Sequence, residues 1–379
     1  MSSPRLRRPG ACDGTLNVMT ARYCSLAQQP APAFAPGLAA ERLSALIGGS
    51  RMWVNSTVLH YYFFDGDTDG SVISVPGTGQ SRRVSWAGTE EQRDAVRGCF
   101  QEWRDLGIGV TFTEVGDRSE AELRIGFQLS DGSWSTVGRD ALQVGLHERT
   151  MNFGWDLTAP GERGTALHEI GHALGMMHEH QSPFAGIHWD DVAVYADLAG
   201  PPNFWSRERT FFNILRKLDP DEVNGSVWDP QSIMEYPFEA GLILEPEQFR
   251  AGLNPPGTLS AADKEYVLRW YPPTEPTRPP ALVPFRSAPL GLGPGEQADF
   301  VFEPLETREY TVGTFGDSDT VVVLFEERDG EPRYLLGRDD GGTPHNVTIR
   351  ARLVKGRRYF VRVRLHSAWG SGETAVMCW

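Results

Sequence analysis

The chain is poor in cysteine, with four in 379 residues. That excludes a disulfide-held scaffold, and a chain of this length buries a large core without one. Cys12 and Cys24 lie near the N-terminus, where a bridge between them is an open reading; Cys378 is next to last. No apolar run is long enough to span a membrane. The first thirty residues, opening MSSPRLRRPGACDGT, also lack the apolar middle of a secretory signal. An export signal lies outside this sequence, export takes another route, or the protein stays inside. Basic residues are outnumbered, 36 Lys and Arg against 50 Asp and Glu, for a net charge of −14. A nucleic-acid binder needs clustered cations, so that class is excluded, and Arg5, Arg7 and Arg8 read as a solvated tail. No internal repeat is present, and the Asn-x-Ser/Thr triplets at Asn55, Asn224 and Asn346 are too common by chance to weigh.

What is present divides the chain. Residues 1–50 mix Ala, Pro and Ser with few aromatics and read as a loosely ordered lead-in, with a short helix near AAERLSALI. Alternation in VLHYYFF, from Val58, predicts a strand. Val96, Cys99, Phe100, Trp103 and Leu106 recur at helical spacing, which predicts a helix from about Glu90 to Leu106. Thr89 with Gln92 forms a capping-box pattern, and Gly107 supplies a stop. Cys99, on the apolar face, reads as a buried small hydrophobe. Strand patterns follow at 109–115, 121–127, 133–138 and 150–155. A proline-rich linker, 274–285, separates the part 51–273 from 286–379, where short strand-like runs between turns predict an all-β sandwich.

The stretch TALHEIGHALGMMHEHQSP, residues 165–183, holds four of the nine histidines. His168 and His172 are four apart, so on a helix their rings face one point. Glu169 is rotated by about 100° from His168, which sets its carboxylate beside that point, suited to a water rather than to a metal. Gly175 permits the positive φ of a sharp turn, which brings His178 round as a third nitrogen ligand. Three protein ligands and an open position describe a catalytic zinc site; a closed structural site has four. His180 and His188 fall outside this geometry and read as surface histidines.

The stretch resembles the signature of the metzincin zinc peptidases, His-Glu-x-x-His-x-x-Gly-x-x-His. Glu179, after the third His, gives the HEH unit of the astacin branch. SIMEY, Ser232 to Tyr236, resembles the methionine turn of that clan, with Met234 beneath the metal and Tyr236 as the residue that approaches it. FQEWRDLGIGVTF, GSWSTVGR, TMNFGWDL, WDPQSIM and LSAADKEYVLRWYP are similar to bacterial and fungal astacin-like proteins in order and spacing. The likeness covers about residues 51–273. It implies an α+β fold: a metzincin-type catalytic domain with a twisted, mostly parallel sheet, zinc-site helix and Met-turn, then the β-sandwich domain.

The resemblance further implies a zinc-dependent endopeptidase acting on protein or peptide substrates, secreted, and read as a monomer. Glu169 serves as general base and acid, Tyr236 as oxyanion donor and zinc neighbour, and Glu179 as partner of a freed N-terminus. Strand 133–138 is the sheet edge that receives extended substrate. Glu235 stands where astacins have His, an extra carboxylate expected to alter substrate preference. FDGD, Phe64 to Asp67, mimics the inhibitory motif of astacin pro-segments but follows the first strand, the wrong place, and reads as coincidence. The C-terminal part resembles the β domains appended to secreted bacterial peptidases, on FGDSDTVVVLF, GRDDGG and KGRRYFVRVRL. There Asp317, Asp319, Asp339 and Asp340 read first as turn residues and second as a calcium site. The rival readings of the whole are a binding or adhesion protein on a metzincin scaffold, and a zinc hydrolase acting on other bonds.

Overall fold

The computed structural model describes residues 22–26, 51–53, 55–74, 79–129, 131–218, 227–273, 279–293, 296–339, 346–366 and 371–379. Cys12, the helix expected near AAERLSALI, Asn224 and Asp340 lie outside the described residues.

The strand expected at Val58 is β1, Val58–Phe63, and all six of its residues are buried, so both faces of the sheet are covered here. A short antiparallel hairpin follows, β2 (Gly70–Ser74) with β3 (Ser81–Ser85). Helix α1 runs Glu90–Asp105 and buries Val96, Cys99, Phe100 and Trp103, the stripe its periodicity marks. The Thr89 hydroxyl accepts the Gln92 N–H at 3.3 Å. The Gln92 side chain engages Asp156 instead of closing the box. Gly107 ends the helix at φ 79°. Burial pushes the Cys99 thiol up to about 11, so it stays an uncharged core group.

Strands β4 (Thr111–Glu114), β5 (Leu123–Gly126), β6 (Trp134–Ser135) and β7 (Met151–Asn152) complete a sheet of order β4-β1-β5-β7-β6. Every neighbouring pair is parallel except β6 with β7, and β6 is an edge strand. The patterns read at 133–138 and 150–155 shrink to these two-residue strands. Phe64 to Asp67 lies just beyond β1, with the Phe64 ring in the core against Trp86.

Helix α2, Arg163–Ala173, carries His168, Glu169 and His172. Its final carbonyls are capped from afar. Trp53 Nε1 donates to Ala173 O at 2.7 Å, and the Tyr271 hydroxyl donates to Leu174 O at 2.6 Å while accepting Trp53 N–H at 3.2 Å. Tyr271 and Trp53 are fully buried, so the two ends of this part of the chain meet beneath the histidine helix. A second lobe holds β8 (His188–Trp189), α3 (Asp191–Ala199), α4 (Arg207–Thr210) and β9 (Ile243–Glu245), whereas α5 (Ala261–Trp270) packs Val267 into the first core with α1 and α2. The core of the second lobe gathers Val194, Leu198, Trp205, Ile214, Tyr236 and Phe238, and takes in Tyr23 and Cys24 from the N-terminal segment.

The remaining strands are β10 (Ala288–Leu292), β11 (Gln297–Phe302), β12 (Arg308–Phe315), β13 (Thr320–Arg328), β14 (Glu331–Asp339), β15 (Thr348–Leu353), β16 (Tyr359–Leu365) and β17 (Gly372–Cys378). They form two antiparallel sheets, β10-β17-β12-β15 and β11-β16-β13-β14. Val312, Ile349 and Val376 of one pack with Phe302, Leu324 and Val361 of the other in a single core, the sandwich expected from the alternation. The architecture is therefore α+β with a mostly parallel sheet, followed by all-β sheets. The calcium reading gains no support: among the described residues no cation-holding cluster includes Asp317 or Asp319.

Tyr271→Phe removes one hydroxyl and leaves the buried Leu174 carbonyl and Trp53 N–H without it. It is expected to cost about 1–3 kcal/mol. Thermal melts of the variant should fall by several degrees; an unchanged Tm would show that the two groups find other partners.

Candidate metal centre and active site

The histidine helix delivers its side chains as the i, i+4 spacing requires. The rings of His168 and His172 stand 4.7 Å apart, edge to face. Gly175 then turns the chain at φ 100°, with its N–H on His172 O at 2.8 Å and the Met176 N–H on Gly171 O at 3.0 Å. That turn carries His178 to the same point: its Nε2 lies 3.1 Å from His172 Nε2. The outer nitrogens are fixed from behind. His168 Nδ1 is 2.7 Å from Ile233 O and His172 Nδ1 is 2.8 Å from Met176 O, so each Nδ1 carries the proton and donates it. Both Nε2 atoms therefore present lone pairs, and His168 Nε2 is buried with no hydrogen-bond partner. Burial, with added repulsion from neighbouring imidazoles, keeps all three rings neutral; His168 is pushed down to about 4.

The fourth side is taken by a residue that sequence reasoning missed. Cys24 Sγ lies 3.6 Å from both His172 Nε2 and His178 Nε2 and 3.7 Å from Glu169 Oε2. Its thiol is free rather than bridged. One ligand atom from each of Cys24, His168, His172 and His178 falls within 4.8 Å of the others. A tetrahedral zinc, with Zn–N about 2.0–2.1 Å and Zn–S about 2.3 Å, sets its donors about 3.3 to 3.6 Å apart. The residues fit zinc on the chemistry of the donor set and on the unpartnered, buried His168 nitrogen.

Glu169 is completely buried beside this point; burial holds its carboxyl well above the ordinary range, and Oε1 has no hydrogen-bond partner. Tyr236 reaches the same place, with its hydroxyl 2.6 Å from His178 Nε2 and donating to the Cys24 carbonyl at 2.8 Å. Met234 lies beneath: Met234 Sδ abuts the spot where a side chain on Gly171 would begin, so a side chain there would displace the methionine. The turn holding Met234 and Tyr236 hangs from Asp263 of α5, which accepts from Ser232 Oγ at 2.6 Å and Ile233 N at 2.8 Å. Glu179 donates its N–H to Met234 O at 3.0 Å and accepts from Asp229 N at 2.9 Å; burial pushes its carboxyl up to about 8.

Two sequence expectations are corrected. His180 is not a surface residue: it is fully buried, with Nε2 donating to Asn213 O at 2.9 Å and its ring stacked 5.3 Å from that of His178. It sits on a short 3₁₀ turn, Glu179–Gln181, that faces the second lobe's core. Glu235 is also buried and does not face the cleft; it accepts from Trp228 Nε1 at 2.7 Å and Tyr236 N at 2.8 Å, with His180 Nδ1 at 3.5 Å. His188 is exposed, as read, and pairs with Glu245.

Residues 22–26 lie across the site. Arg22 approaches Glu162 and the Trp155 ring, and Tyr23 N donates to Asn203 Oδ1 at 3.3 Å. Leu26 N donates to Asn213 Oδ1 at 2.9 Å, and Arg209 donates to Ser25 Oγ. The groove beside Ser25 and Leu26 is bordered by Trp134 of the edge strand β6. A lone cysteine in a Pro- and Ala-rich lead-in has no periodicity to mark it.

The family model for the astacin peptidases matches residues 83–196. Metalloendoproteinase 1-MMP of Arabidopsis thaliana is 26% identical over 196 residues, 41% of this chain and 52% of that protein. Tolloid-like protein 1 of Mus musculus is 30% identical over 176 residues, 44% of this chain and 15% of that protein. The chain thus spans about half the length of the first curated relative and much less of the second. The solved structure of myroilysin is 32% identical, covering 60% of this chain and 99% of that one, with a TM-score of 0.51. With its parallel sheet, histidine helix and methionine turn followed by all-β sheets, the chain belongs to the astacin family of metallopeptidases.

Proposed function

We propose that the protein is a zinc-dependent endopeptidase whose form seen here is held shut by Cys24. The observation that carries this reading is the convergence of three neutral imidazoles on one buried point, with a thiol closing its fourth side. His168, His172 and His178 hold the metal, and Tyr236 stands as an added neighbour to it. Zinc, when bound there, polarises a peptide carbonyl and makes water a nucleophile at neutral pH. Glu169 takes a proton from that water as its oxygen bonds to the carbonyl carbon; as the C–N bond breaks, Glu169 passes the proton to the leaving nitrogen. The Tyr236 hydroxyl, already donating to the Cys24 carbonyl oxygen, turns its proton to the developing oxyanion. An extended substrate pairs its main chain along the edge strand β6.

Cys24 stands where the attacking oxygen must be, and its thiolate, formed as a bound zinc displaces the Sγ proton, would be a stronger ligand than water. Activity therefore requires residues 22–26 to leave, by cleavage or displacement. Glu179, half-buried in a pocket that includes Met177 and Asp229, is the carboxyl we propose takes the ammonium of a newly cut N-terminus, a pairing that would ionise it. We also propose the organisation as a lead-in through about residue 50, a catalytic part over 51–273, a linker over 274–285 and an accessory β domain over 286–379.

Cys24→Ala in the otherwise intact chain is expected to raise cleavage of labelled casein at least about tenfold, because a methyl cannot bind zinc. Equal rates in the two proteins would remove Cys24 from control of the site. In that opened background, Glu169→Gln should keep one zinc per chain by elemental analysis and lower kcat by about 10²–10⁴. Full turnover by the zinc-loaded Gln variant would take Glu169 out of the mechanism.

A further inference from the structure

The segment that closes the site also reports what the open site binds. Next to Cys24 in the chain, the Tyr23 ring is inserted into the second lobe, 4% exposed. Its ring lies 5.7 Å from Phe238 in a stacked arrangement, 5.2 Å from Tyr236 edge-on and 6.1 Å from Trp205. Val194, Leu198 and Ile214 belong to the same apolar cluster. The phenol oxygen is buried without a hydrogen-bond partner. Asp197 and Glu239, both exposed, are near enough for their charges to add to burial in raising the phenol's pKa.

The contacts to the segment divide by what they recognise. Asn203 and Asn213 take main-chain N–H groups of residues 23 and 26, and Tyr236 donates to the main-chain carbonyl of residue 24. Those groups exist on any extended peptide. The aromatic cavity is different, because it grips a side chain and adjoins the residue at the catalytic point. Once the segment leaves, its aromatic walls are uncovered, and a substrate side chain of like shape regains the lost contact.

Resting on the reading of the site as a peptidase centre, we propose that the Tyr23 cavity is the substrate-selecting pocket. The opened enzyme cuts peptides that carry an aromatic residue, tyrosine or phenylalanine, beside the scissile bond. Aspartate and glutamate are rejected at that position, because the cavity is apolar and a carboxylate would lose its hydration there.

The test uses the full chain carrying Tyr23→Ala and Cys24→Ala, which empties the cavity, on a proteome-derived peptide library. Tyr and Phe should be enriched at one of the two positions flanking the cut, and Asp and Glu depleted there. Matched synthetic peptides with Tyr or Ala at that position should differ at least about 100-fold in kcat/KM. Efficient cleavage with no aromatic enrichment would overturn this inference and leave the peptidase reading intact. A second arm needs no turnover: the pentapeptide Arg-Tyr-Cys-Ser-Leu, titrated calorimetrically into the same zinc-loaded protein, should bind at least tenfold tighter than Arg-Ala-Cys-Ser-Leu. Equal affinities overturn the assignment of the cavity even if the protein cleaves nothing, an outcome that would itself sink the peptidase reading.

Discussion

Three imidazole nitrogens and one thiol meet at a single buried point, with His172 Nε2 and His178 Nε2 3.1 Å apart. A cation bound at that point would hold all four donors at once. Much of the surrounding structure keeps them there. The Ile233 and Met176 carbonyls lock the His168 and His172 tautomers. Ile233 is held by Asp263, so the C-terminal helix α5 positions a ring on α2. Trp53 and Tyr271 cap the end of α2 from opposite ends of the chain. Ligand geometry here is a property of the folded domain, not of the motif alone.

The same economy joins closure to packing. Tyr23 and Cys24 are part of the second lobe's core rather than a strand laid over a finished surface. Tyr236 links the two roles, since one hydroxyl touches a histidine ligand and the carbonyl of the blocking residue. In the proposed reading, removing the segment would free a coordination position and open an aromatic cavity in one step. His180 and Glu235, buried behind His178 and Tyr236, stiffen this wall without touching the point where chemistry occurs.

Legibility in the sequence followed the kind of signal. Helix α1 was readable because five apolar residues repeat at one spacing, and the histidine helix because ligand chemistry demands fixed steps on one face. Met234 and Tyr236 were readable only through resemblance, since nothing local says that this turn passes beneath α2. The outer strands β6 and β7 shrank because alternation does not tell how much of a run finds a partner. His180 read as a surface residue and Glu235 as a carboxylate beside the site, and tertiary packing buried both. Cys24 was out of reach altogether: its partners lie 145 and more residues away, and one thiol in a Pro-rich lead-in carries no pattern.

Zinc K-edge X-ray absorption on the freshly purified full chain addresses the central claim most directly. One zinc per chain with a shell of three nitrogen scatterers near 2.0–2.1 Å and one sulfur near about 2.3 Å is the predicted result. A zinc shell of nitrogen and oxygen only, or protein that neither contains nor takes up zinc, would contradict it.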